Sequence, residues 1–203
     1  MELFDPIGLH VDQASATAAS LPEDERFTAE VGDARTVQRP DGYAHVVLLL
    51  GPIYHLVERA DRRLALGEAM RVLRPGELMA VAGVSRWVLL LEAYRRRLEF
   101  DERTRRMIDQ TIDTGTSVEE PGEAAFHAHF HRPGKLAEEV EESGFVDVAV
   151  YAVEGFGWTL PDLADVLADP LARAHLFDVL RRVEHEPGLS GATGHVLVVA
   201  TRP

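Results

Sequence analysis

Ala44-His45-Val46-Val47-Leu48-Leu49-Leu50, closed by Gly51-Pro52, is the stretch on which the fold turns. Its apolar residues run almost without a break instead of alternating, as in a strand covered on both faces within a parallel sheet. Working outward, residues 60–73 repeat with helical period. Leu64, Ala65, Ala69 and Val72 fall on one face and the arginines on the other, until Arg74-Pro75-Gly76 stops the helix. Residues 78–84 then read as a second buried strand. Upstream, residues 2–4 read as the tail of an extended segment broken at Asp5-Pro6, residues 7–19 as a helix, and residues 27–31 as a short strand ending at Gly32-Asp33-Ala34.

Downstream of 84 the chain changes character. Trp87, Leu90, Leu91, Tyr94 and Leu98 recur at helical spacing beside Arg95, Arg96 and Arg97, which marks an inserted helical segment, followed by a loop over 113–122. A helix over 133–143 stops at Gly144, a strand follows over 145–153, and a largely helical stretch over 160–186 is interrupted at Asp169-Pro170. A strand over 194–201 comes last and can pair antiparallel with 145–153 at a sheet edge. Strands alternating with helices predict an α/β fold: a Rossmann-like, mostly parallel sheet with helices on both faces, an antiparallel edge strand and a helical lid insertion over 85–122.

Composition narrows the classes of function. The 203 residues carry 21 basic and 34 acidic side chains, a net charge of −13, which is the wrong sign for a protein that grips nucleic acid through its phosphates. There is no cysteine, so thiol catalysis, disulfides and cysteine-ligated metals are excluded. No apolar run reaches the roughly 18 residues of a membrane helix. The first residues also lack a basic leader, so a cytoplasmic protein with no membrane or nucleic-acid partner is expected.

In open parallel sheets ligands sit beyond the carboxyl ends of the strands, which directs attention to Asp5-Pro6-Ile7, Gly32-Asp33-Ala34 and Gly51-Pro52-Ile53-Tyr54-His55. A carboxylate such as Asp5 can accept both hydroxyls of a ribose, and Asp33, one strand over, can accept from an exocyclic amine such as that of adenine. Ile7 and Ala34 offer apolar faces to the ring. Asp5 before a helix also reads as a simple N-cap.

Those segments, with Arg71-Val72-Leu73-Arg74-Pro75-Gly76 before a buried strand and Glu142-Ser143-Gly144-Phe145 near the end, resemble the class I S-adenosylmethionine-dependent methyltransferases. The resemblance implies S-adenosylmethionine as cofactor and a small-molecule substrate. Asp5 would lie at the ribose, Asp33 at the adenine, and Leu50 and Gly51 beside the methionine part, with Pro6, Ile7, Gly32 and Ala34 completing the expected cofactor-binding set. Methyl transfer from a sulfonium needs alignment first and a base only where the acceptor must lose a proton. His55 is the candidate base and Tyr54 a candidate for the pocket wall.

The family's first strand and glycine-rich loop have no counterpart here. Gly188, Gly191 and Gly194 precede a strand, where a nucleotide loop follows one. Without that central strand two buried strands lose a neighbour. Three resolutions are open: the single domain over 1–203 is N-terminally truncated, residues 2–4 pair directly with 44–50, or another subunit fills the gap. A non-catalytic remnant serving as a dimerisation or scaffold module is therefore the alternative function, with a homodimer as its partner, and a nicotinamide-dependent reductase is a distant third. Alternating His127, His129 and His131 could hold a metal or cover the site's mouth, and the second reading is preferred, with no metal assigned. Glu138, Glu139, Glu141 and Glu142 read as a solvated helix face. Arg95–Arg97 with Arg103, Arg105 and Arg106 form a basic cluster that is either solvated or turned to an anion.

Overall fold

Two sheets, not one, organise the chain in a computed structural model that describes residues 1–117, 127–132 and 134–203. The first holds strand β1 (Glu2–Asp5), followed by helix α1 (Gly8–Ser20), and strand β2 (Thr28–Val31), paired in parallel with Asp5 opposite Val31. The chain then forms β3 (Ala44–Leu49), the short helix α2 (Pro52–His55), α3 (Arg59–Val72) and the long strand β4 (Leu73–Ser85). Helices α4 (Val88–Arg95) and α5 (Glu102–Thr114) form the insertion, and β5 (Thr116–Ser117) and β6 (Ala128–His131) return to the sheet. The order ends with α6 (Lys135–Glu142), β7 (Val146–Ala152), α7 (Leu163–Ala168), α8 (Pro170–Val183) and β8 (His195–Thr201).

The six-stranded sheet is built on β4. β3 pairs with it in parallel, β6 continues in parallel at its carboxyl end, and β8 runs antiparallel, with β7 antiparallel beyond β8. This is the expected α/β architecture with its antiparallel flank. The end of the expected insertion and the first residue of the expected helix at Pro133 lie outside the described residues.

The core lies where α3 and α6 cover the sheet. Leu66 and Ala69 of α3, Leu136 and Val140 of α6, and Met79, Val81 and Val198 beneath them are all buried, each large side chain contributing about 1.5–3 kcal/mol of burial. Close approach explains one glycine: a Cβ on Gly83 would lie 2.9 Å from Leu136 and 3.1 Å from the His131 ring. Gly144, at φ 95°, takes the left-handed turn that ends α6.

One of the three open alternatives for the sheet is excluded, and two expectations are corrected. Strand β1 does not pair with β3. The two are tied instead by side chains, Glu2 accepting from Arg39 at 2.9 Å and from Tyr43, just before β3, at 2.9 Å. Among the described residues one edge of β3 carries no strand, and one of its faces is also open, since Val46 and Leu48, two residues apart, are each 55% exposed. On α3, Leu64 faces out while Arg62 is 3% exposed, reversing the sequence-derived faces at those two positions.

Candidate functional site

Strand pairing brings two of the expected site residues, Asp5 and Asp33, together. Asp5 and Asp33 follow the carboxyl ends of adjacent strands, because β1 and β2 are parallel and the Gly32 N–H donates to the Asp5 carbonyl at 3.1 Å. The Glu2–Tyr43 bond ties the start of β1 to the residue before β3, and Leu50 and Gly51 follow the carboxyl end of β3. Gly32 itself packs on the Phe4 ring, which explains the missing side chain there without a ligand.

The two carboxylates differ in availability. Asp5 uses one oxygen, Oδ1, to accept from the Ile7 N–H at 2.8 Å and to meet His10 Nδ1 at 3.2 Å; the N-cap of α1 is Ile7, so Asp5 closes the turn before the helix and is not its N-cap. Its Oδ2 has no partner among the described residues. Both oxygens of Asp33 are taken by Arg35, whose Nη2 lies 2.6 Å from Oδ2 and whose backbone N–H lies 2.8 Å from Oδ1. That guanidinium holds the Asp33 carboxyl below its usual range and reaches on to Asp61 at 2.9 Å. An adenine amine at Asp33 must share the carboxylate with Arg35.

The other expected residues differ in exposure. Ile7 is half exposed, Pro6 is exposed beside it, and Ala34 packs on the main core instead of facing out. Leu50 is exposed, and its carbonyl accepts from the Tyr54 hydroxyl at 3.1 Å, which folds α2 back over Gly51. His55 is exposed at the end of α2, its ring 4.7 Å from that of Tyr54. Tyr54 also packs against Val84 and Phe130, connecting α2 to β6.

Sequence reasoning missed a second cluster. Glu139, expected in solvent, is buried, and Arg62 grips it in a two-pronged ion pair at 2.7 and 2.8 Å. The remaining prong of Arg62 donates to the Leu56 and Val57 carbonyls, so the buried cation is fully bonded. Although burial pushes the Glu139 carboxyl upward, Arg62 outweighs it and leaves it at about 2. His129 and His131 stand on the same face of β6, with His131 Nε2 3.8 Å from Glu139. Burial pushes His129 down to about 3 and lowers His131, so both rings are neutral near pH 7. The signal available in sequence was Glu139 lying one helical turn after Leu136 and next to Val140, on the apolar stripe of the helix.

Part of the basic cluster of the insertion is paired in place: Arg95 and Arg96 share Glu92, and Arg106 pairs with Glu102. No helix among the described residues is long and apolar enough to cross a membrane.

No family model and no curated protein matches the chain. Among solved structures, a methyltransferase dependent on S-adenosylmethionine from Methanosarcina mazei superposes with TM-score 0.62 at 15% identity, over 99% of this chain and 81% of that one. The methyltransferase SibL matches all of this chain and 43% of its own, at 20% identity and TM-score 0.53. The [4+2]-cyclase SpnF matches all of this chain and 65% of its own, at 16% identity and TM-score 0.53. Likeness at such identities speaks to architecture alone, and on that ground the chain has the Rossmann-like class I fold of the S-adenosylmethionine-dependent methyltransferases.

Proposed function

We propose that the protein is a cytoplasmic S-adenosylmethionine-dependent methyltransferase acting on a small molecule, with no nucleic-acid or membrane partner. The observation that carries the reading is Asp5: an open carboxylate oxygen at the carboxyl end of β1, beside the end of β2, where this fold receives a ribose. Binding of the adenosine half is assigned to Asp5, Pro6 and Ile7, a reading supported by the open oxygen of Asp5. At Gly32, Asp33 and Ala34 it requires Arg35 to yield part of its hold. Leu50 and Gly51 are assigned to the methionine side, α4 and α5 to the lid, and Tyr54 to the pocket wall. His55 is assigned to proton removal where the acceptor carries one.

Titration calorimetry with S-adenosylhomocysteine tests this reading. Binding in the micromolar to millimolar range is expected, weakened about tenfold or more in Asp5→Asn, since one ribose hydroxyl loses its charged acceptor. Folded protein that gives no heat at millimolar ligand rejects the assignment.

One observation favours a second reading, the non-catalytic module. The unpaired edge of β3 and the exposed Val46, Leu48 and Leu50 are what a partner chain would cover. A strict monomer at tens of micromolar in sedimentation velocity rejects that alternative.

A further inference from the structure

We propose that the cleft between α3, β6 and the start of α6 is a binding site for an oxyanion, a carboxylate or phosphate group carried by a small molecule. The site does not depend on the methyltransferase reading. The cleft has a volume of about 360 Å³ and is lined by Arg62, Arg86, His129, Arg132, Lys135 and Glu139. Four of these six are cations, in a chain whose net charge is −13, so the local field is the reverse of the global one.

Bookkeeping of partners shows which charges are uncommitted. Arg62 is satisfied by Glu139, and Lys135 pairs with Glu138. Arg86 and Arg132 have no carboxylate partner among the described residues. Arg86 donates only to two carbonyls at long range, Phe130 at 3.3 Å and Ile112 at 3.4 Å. Burial and the like charge of Arg132 both disfavour its charged form, a cost that a bound anion removes. His129 adds a buried Nδ1 with no hydrogen-bond partner. Helix α6 adds the positive end of its dipole, since its N-cap, Gly134, supplies no side-chain acceptor.

The rival occupant is a metal ion, because ligand atoms of His129, His131 and Glu139 lie within 4.8 Å of one another. Two facts weigh against it. Zinc at about 2.0–2.1 Å from each ligand needs them roughly 3.4 Å apart. Glu139 also already spends both oxygens on Arg62, in a pocket with a surplus of positive charge.

Separate calorimetric titrations of inorganic phosphate, citrate and zinc chloride at low ionic strength, with the imidazole resonances of His129 followed by NMR, decide the matter. A millimolar or tighter isotherm for phosphate or citrate that shifts the His129 signals is expected. Tighter phosphate than citrate would point to a phosphate-bearing ligand, and the opposite order to a carboxylate. Arg132→Gln, at an exposed position, should weaken that binding at least fivefold with thermal stability unchanged, and Arg86→Gln should weaken it further. The proposal is overturned if neither anion binds, if binding is indifferent to Arg132→Gln in folded protein, or if zinc alone binds and is lost in His131→Ala.

Discussion

Two arginine–carboxylate pairs, Arg62–Glu139 and Arg35–Asp33, share the same forked chemistry and differ in burial. The side chains of the first are 4% and 10% exposed and those of the second 38% and 40%. In the first pair water cannot substitute for either partner, so removing one leaves the other buried and uncompensated. In the second, solvent already competes for both, and the pair contributes little to stability. The lesson is functional. A ligand can borrow Asp33 from Arg35, whereas Glu139 is locked, and its neighbours on β6 must find other partners.

The sharpest way to break this contrast is Arg62→Ala. It leaves the Glu139 carboxylate buried and unpaired, and a loss of about 3–5 kcal/mol in urea unfolding is expected. A loss under about 1 kcal/mol would mean that Glu139 escapes to solvent.

Acid should separate the pairs next. The Glu139 pKa is about 2 in the folded protein, below the ordinary glutamate value, so its contribution is complete above that ordinary value and disappears as pH falls toward 2. Glu154, also held at about 2 chiefly by hydrogen bonds from His195 that outweigh burial, acts over the same window. The urea midpoint should therefore fall between pH 5 and pH 2.5, and fall less in Glu154→Gln. His195 works in the opposite direction. Its folded pKa is raised by Glu154, so its share is present below the ordinary histidine value and is lost as pH rises through the folded one.

The smallest stability effect is expected for Arg35→Ala, about 0–1 kcal/mol. Its informative readout is ligand binding: release of Asp33 should tighten S-adenosylhomocysteine severalfold if the adenine amine uses that carboxylate. Unchanged affinity in titration calorimetry would remove Asp33 from the proposed site while leaving Asp5 in it.

Much of the architecture could be read before any coordinates. The apolar runs at 44–50 and 78–84 became β3 and most of β4, the Asp169-Pro170 break became the start of α8, and Gly144 took the left-handed turn that ends α6. These are local signals: strand-forming side chains, a proline at a first helical turn and a glycine stop act within a few residues of chain. Less of the site was legible. The carboxyl-end positions of Asp5 and Asp33 followed from the strand pattern, but Arg35 on Asp33 did not, because an Asp-Ala-Arg sequence does not say whether the arginine folds back or extends into water.

Glu139 marks the boundary most clearly. Charged residues read as solvated because burying a lone charge is prohibitive, and the partner that makes it affordable lies 77 positions earlier on another helix. The break between β1 and β3 is of the same kind. An apolar run states that a strand can be covered on both faces, while only the assembled sheet shows whether anything lies against it. Chain-local chemistry thus dictated which elements form and where they stop. Pairing of distant charges and coverage of strand edges were set by packing, since both depend on groups that come together only when the chain has folded.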